Sequence, residues 1–154
     1  MKDEETVTGM HLFLVIWKAF QALRLIDEKS IQNLDLGGRS DFVILEALLH
    51  KGPLPICTIG KKACLTSGSI TTAVDRAEKR GYVQRIHDPE DRRIIKAVLT
   101  DEGRQAIESK MPQHAATLEA VSQCLSSTEK AILVKLLKKL GYYAEANFNE
   151  IIHQ

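Results

Sequence analysis

Leu65 to Gly103 read LTSGSITTAVDRAEKRGYVQRIHDPEDRRIIKAVLTDEG, and this stretch decides the fold. In its first part Ile70, Ala73, Val74 and Ala77 recur at steps of three and four, the spacing of a short helix with one apolar face. The period then changes. YVQRIH and IIKAVL are short β-prone runs joined by a polar loop containing a proline, which predicts a hairpin. Its tip carries Asp88, Pro89, Glu90, Asp91, Arg92 and Arg93. A helix followed by a basic-tipped hairpin is the layout of a winged helix-turn-helix. There the helix lies in a DNA major groove and the hairpin tip reaches the neighbouring backbone or minor groove.

Working outward, Leu12, Val15, Ala19, Leu23 and Ile26 predict one long helix over residues 5 to about 29. Phe13, Leu14, Trp17, Phe20 and Leu25 widen its apolar face. A helix so apolar near a chain end needs cover on more than one side, which favours a homodimer interface over packing within one subunit. NLDLGGRS reads as a turn, with Ser40 placed to cap a second helix over about Asp41–His50. A third helix is expected from Pro55, a residue suited to a first helical position, to Cys64. The fourth runs from about Ser67 to Arg80, with Thr66 as its cap and Gly81 at its end. After the hairpin, Thr100 caps a helix to about Gln123. Ser126 with Glu129 forms a capping box for a last helix through about Phe148. The expected fold is mainly α with a small β-hairpin wing. An N-terminal dimerisation helix occupies 1–36, the winged helix-turn-helix 37–99, and C-terminal dimerisation helices 100–154.

Over 154 residues the formal charge is only +1, but it is unevenly spread. Residues 39–96 hold eleven Lys/Arg against seven Asp/Glu, and the remainder ten against thirteen. Positive charge therefore collects where phosphate attraction would use it. The acidic start MKDEETVTG is unlike a secretory signal, and the run His11–Trp17 is too short to span a bilayer before Lys18 ends it. Cys57, Cys64 and Cys124 lack framework spacing and suit reduced thiols. The expectation is a soluble, cytoplasmic protein with no membrane partner.

On the fourth helix Ser67, Ser69, Thr71, Thr72, Asp75, Arg76 and Lys79 fall outside the apolar stripe. Small hydroxyl side chains near a helix N-terminus admit the backbone close to DNA, and Arg76 is placed to contact guanine bidentately. Arg92 and Arg93 suit a narrow minor groove, with Asp91 shaping the turn and holding one arginine. Arg85, Arg39, Lys61 and Lys62 are further candidates for phosphate contact. The partner expected is a double-stranded DNA operator.

The same segment strongly resembles the MarR family, the multiple antibiotic resistance regulators. It shows that family's Asp-x-Arg wing tip at Asp91-Arg92-Arg93. It also shows its Leu-Thr-x-x-Gly helix start at Leu99-Thr100-Asp101-Glu102-Gly103. The resemblance extends over nearly the whole chain. It implies an obligate homodimer held by terminal helices on a pseudo-palindromic operator, usually repressing transcription. It also implies that Arg93 is the minor-groove arginine and Ser67–Arg76 the recognition helix.

Sensing is less legible. Oxidant sensing through a first-helix cysteine does not fit, because no cysteine precedes Cys57. Cys57 and Cys64, two helical turns apart with Lys61 and Lys62 near, are candidates for a thiol sensor. Phe13, Trp17 and Phe42 are candidates for an apolar pocket taking a small aromatic or phenolic effector. The five histidines are scattered, so no metal is expected, nor any cofactor. G-x-S-x-G, G-x-G-x-x-G, Walker and H-E-x-x-H patterns are absent, which argues against an enzyme. The competing reading is a winged helix used for protein contacts without specific DNA binding.

Overall fold

The computed structural model describes residues 7–62 and 66–153; for Lys62 and Ser67 it describes the backbone alone. The elements run α1 Gly9–Gln32, α2 Arg39–Lys51, β1 Leu54–Pro55, α3 Ile56–Lys62 and α4 Ser67–Lys79. They continue β2 Val83–His87, β3 Ile95–Leu99, α5 Asp101–Ser122, α6 Ser127–Ala146 and α7 Phe148–Ile152. The three strands form one antiparallel sheet in the order β1-β3-β2, so the fold is a winged helix flanked by long helices. Two compact units divide the chain, Met1–Thr117 and Leu118–Gln154.

Four local details differ from the sequence reading. α1 starts at Gly9 because the Thr8 hydroxyl caps it, accepting from the His11 N–H at 3.2 Å. Ser40 lies inside α2 and does not cap it. Asp41 does, its Oδ2 accepting from the Gly38 N–H at 2.8 Å. Pro55 belongs to β1, paired with Lys96 of β3, and not to α3. That strand lies at the sheet edge, where a residue without an N–H breaks no ladder. The last helix breaks at Asn147, whose side-chain amide turns back to the Tyr143 carbonyl at 2.8 Å, and α7 follows.

The first unit has a core built from the helix-turn-helix. Phe42, Ile44, Leu45 and Leu48 of α2, Ile59 of α3, and Ile70, Ala73, Val74 and Ala77 of α4 are all buried. Burying residues the size of Ile70 and Val74 contributes about 1.5–3 kcal/mol each. α3 and α4 meet closely: a Cβ on Gly60 would lie 3.2 Å from Ile70 Cγ2. Beside this core sits a polar group joining three helices. His114 of α5 is buried, its Nδ1 3.0 Å from Ser30 Oγ of α1 and its Nε2 3.5 Å from Asp27 Oδ1. Phe42 meets the imidazole ring edge-on at 4.9 Å, and Asp27 also accepts from Arg39 at the start of α2.

Where α4 ends, Gly81 takes a left-handed φ of +76°; its N–H reaches the Glu78 carbonyl and the Tyr82 N–H the Ala77 carbonyl. This is a Schellman stop, and it turns the chain directly into β2. α5 begins against the same two residues. Thr100 gives its N–H to the Tyr82 carbonyl and its hydroxyl hydrogen to the Gly81 carbonyl, while its oxygen accepts from the Gly103 N–H. Gly103 packs so near that a Cβ would lie 1.9 Å from the Tyr82 carbonyl oxygen.

Much apolar surface is left open on each unit taken by itself. α1 exposes Phe13, Trp17, Phe20 and Leu25, and α6 exposes Ile132, Leu136, Leu137 and Tyr143. At 24 residues, α1 is long and apolar enough to cross a membrane by length and composition, unlike the short run His11–Trp17 alone.

The close approach at Gly103 makes a direct prediction. Gly103→Ala must push α5 off the Tyr82 backbone and should destabilise the fold by about 3 kcal/mol. Thermal unfolding would measure the loss; a melting temperature equal to that of the unsubstituted protein would refute the contact.

Candidate nucleic-acid interface

α4 separates its faces as the periodicity predicts. Ile70, Ala73, Val74 and Ala77 are inside, and Ser69, Thr71, Thr72, Asp75, Arg76 and Lys79 are exposed. Thr66 caps the helix, its hydroxyl oxygen accepting from the Ser69 N–H at 3.2 Å. Thr72, exposed, donates its hydroxyl to the Gly68 carbonyl at 3.0 Å. The side chain of Ser67 lies outside the described residues.

Each arginine of the candidate surface has its own electrostatic surroundings. Arg76 reaches across to α2: Nε lies 3.1 Å from Asp41 Oδ1, and its NH2 group lies 2.9 Å from the same oxygen and 3.0 Å from Ser40 Oγ. Arg85 of β2 is gripped by Asp75 and Glu78, both on α4. That ties the first wing strand to α4. Arg39 is exposed and donates to Asp27 at 3.3 Å. Lys61 is exposed on α3, and the side chain of Lys62 lies outside the described residues.

The wing tip is a built turn. Asp88 is buried; its Oδ1 accepts from the Glu90 N–H at 2.8 Å and its Oδ2 pairs with Lys96. The Ile94 carbonyl accepts from the Asp88 N–H at 2.9 Å, and the Asp91 carbonyl accepts from Ile94. Asp91 then takes Arg93 with both oxygens, at 3.1 Å from Nε and 3.1 Å from NH2, and accepts the Arg93 N–H at 3.0 Å. Despite this pairing the Arg93 side chain is 91% exposed. The His87 ring donates from Nδ1 to the Arg92 carbonyl at 2.8 Å, fixing the backbone there. The Arg92 guanidinium makes no hydrogen bond or ion pair among the described residues and stands in solvent.

The sequence reading missed Asp41, Ser40, Asp75, Glu78, Asp88 and Lys96 as residues that organise this surface. Only Asp88 left a local signal, as the first residue of a turn-forming Asp-Pro-Glu-Asp run. The effector candidates are not brought together. Phe42 is core, packed on His114, whereas Phe13 and Trp17 are exposed on α1. A cavity of about 300 Å³ opens instead between α1 and α5, lined by Leu25, Ile26, Lys29, Ser30, Asn33, Gln113 and Thr117. Cys57 is exposed at the start of α3, and Cys64 lies outside the described residues. Among the described residues no cluster of His, Cys, Asp or Glu is placed to hold a metal.

Comparison with known proteins agrees with this geometry. The profile of the MarR family matches residues 39–95, which contain α2 to the start of β3. The HTH-type transcriptional regulator YkoM of Bacillus subtilis is 33% identical over 145 residues, covering 93% of this chain and 92% of its own. The HTH-type transcriptional regulator MhqR of the same organism is 33% identical over 145 residues, covering 94% and 99%. An E. coli MarR mutant, solved in complex with operator DNA, superposes with a TM-score of 0.73 over 84% of this chain and 92% of that one. Its identity is 24%, a likeness of fold.

The wing carries a pH prediction. The Arg93 guanidinium and then the Arg93 N–H hold the Asp91 carboxyl below the usual carboxylate range. Lys96 and then the Glu90 N–H do the same for Asp88. A lowered folded-state pKa means that the contribution is complete above the ordinary carboxylate pKa and is lost as pH falls through the lowered value. NMR amide signals of Glu90, Asp91 and Arg93 should hold their positions down to about pH 5 and move together only below about pH 4. Movement near neutrality would show that other groups hold the turn.

Proposed function

The chain belongs to the MarR family, and we propose that it is a repressor of transcription that binds a pseudo-palindromic operator as a homodimer. DNA-binding transcriptional regulation comes with the family. The observation that carries the reading on this chain is the pairing of an exposed hydroxyl-and-arginine face on α4 with a preorganised arginine wing tip. The first suits the major groove, by Ser69, Thr71 and Thr72 toward base edges and phosphates. The second suits the minor groove, where negative potential draws arginine. Arg92 and Arg93 are the wing contacts, Asp91 their organiser, and Arg39 a phosphate contact. Ser67 completes the helix N-terminus. Arg85, neutralised by two carboxylates, serves the position of the wing more than the phosphate backbone.

Residues 37–99 form the DNA-binding part, and 1–36 and 100–154 the dimerisation parts. The open apolar faces of α1 and α6 support this division, since exposed aromatic and aliphatic surface of that extent marks an interface. A second copy is the cover that the family offers, so α1 is read as an interface helix and not as a membrane span, in a protein working in the cytoplasm. Release from DNA is assigned to a small aromatic or phenolic effector or to a thiol-reactive compound. The cavity between α1 and α5 supports the first route, and exposed Cys57 the second.

Arg93→Ala should weaken operator binding by about 1–3 kcal/mol, read by fluorescence anisotropy on duplexes from around the protein's own coding region. An unchanged affinity would remove the wing from the mechanism. Absence of salt-sensitive, selective binding in the unsubstituted protein would favour a protein-contact module instead. Trp17→Asp should shift the sedimentation of a dimer toward the monomer, and a monomeric unsubstituted protein would refute the homodimer.

A further inference from the structure

Arginine reads guanine with two nitrogens at once, one to O6 and one to N7. Arg76 of α4 is not free to do so. Its guanidinium carries five N–H hydrogens: one on Nε and two on each terminal nitrogen. The Nε hydrogen points at Asp41, whose oxygens lie at 3.1 and 3.2 Å. The NH2 group gives one hydrogen to Ser40 Oγ at 3.0 Å and lies in ion-pair contact with Asp41 Oδ1 at 2.9 Å. Only NH1 remains without a partner among the described residues, although the side chain is 46% exposed.

The clamp is anchored deeply. Asp41 is 4% exposed, and its Oδ2 is held by the Gly38 N–H at 2.8 Å, so the carboxylate cannot follow the arginine outward without uncapping α2. Ser40 is its chain neighbour on the same helix turn. Two residues at the start of α2 thus hold the one arginine of α4, in its last turn.

We infer that Asp41 is a specificity-determining positioning residue, which limits Arg76 to a single-nitrogen contact with DNA and keeps it from pairing with guanine. The inference rests on the DNA-binding reading above. With Arg76 held, base discrimination on α4 falls to Ser69, Thr71 and Thr72. Once released, the arginine becomes one more mobile cation, able to meet any phosphate.

The test uses the full-length protein, a duplex it enriches from a random library, and a scrambled duplex of equal length. Asp41→Asn keeps an oxygen for the Gly38 N–H but removes the charge that holds Arg76. Affinity for the scrambled duplex should rise several-fold, and its salt dependence should steepen by about one unit of log–log slope. The ratio of selected to scrambled affinity should fall roughly tenfold. Combined with Arg76→Ala, the same Asp41→Asn change should no longer alter the ratio. A loss of ratio that persists without the arginine is a general charge effect and overturns the inference, as does an unchanged ratio in a well-folded Asp41→Asn protein. If Asp41→Asn melts the fold, Ser40→Ala decides: it frees one NH2 hydrogen at a half-buried position. A smaller shift of the ratio in the same direction supports the clamp, and no shift overturns it. Failure of the unsubstituted protein to enrich any duplex appears before any substitution and brings down the DNA-binding reading itself.

Discussion

Everything in the winged helix hangs on the close approach of Thr100 and Gly103 to the Gly81–Tyr82 backbone. Three chain segments converge there: the end of α4, the base of the hairpin and the first turn of α5. One threonine supplies three hydrogen bonds, each worth about 1 kcal/mol net, and satisfies carbonyls that the turn would otherwise leave bare. The next rung outward is the Val83–Leu99 pair, so strand register starts from this junction. Arg85 then comes opposite Ala97 and within reach of Asp75 and Glu78. The angle between α4 and the wing is therefore a property of the junction and not of the wing loop.

What could be read from the chain divides by sequence distance. The α4 stripe, the hairpin, the Thr100 cap and the Ser126–Glu129 box are all devices whose parts lie close together in sequence, sixteen residues apart at most, and each stands in the structure where the pattern put it. β1 escaped notice because two residues carry no period and one of them is a proline. Ser40 and Asp41 are both good capping residues, and only the backbone geometry at Gly38 selects the second. The grip of Asp41 on Arg76 spans 35 residues and has no local signature at all.

Periodicity also says which residues share a helix face without saying which face is covered. Phe42 lies in the core and Phe13 and Trp17 in the open, although all three are aromatic residues on apolar stripes. The polar group of buried Ser30 and His114 with Asp27 and Arg39 was equally hidden, since its members are spread over 88 sequence positions from Asp27 to His114. It joins the last turns of α1 and the middle of α5 to the first residue of α2. A change in the last turns of α1 or the middle of α5 has a hydrogen-bonded route into the helix-turn-helix.

The arginines of the surface share one habit: Arg76, Arg85, Arg93 and Arg39 each sit against a carboxylate, and Arg92 stands apart. The weak net charge of +1 and this pairing have the same effect. A bacterial chromosome offers on the order of 10⁶ or more competing binding positions, and a regulator with loose cations spends its time on them. Partnered cations lower the residence on each wrong position. Few copies of such a DNA-binding protein are then enough to keep one selected site occupied.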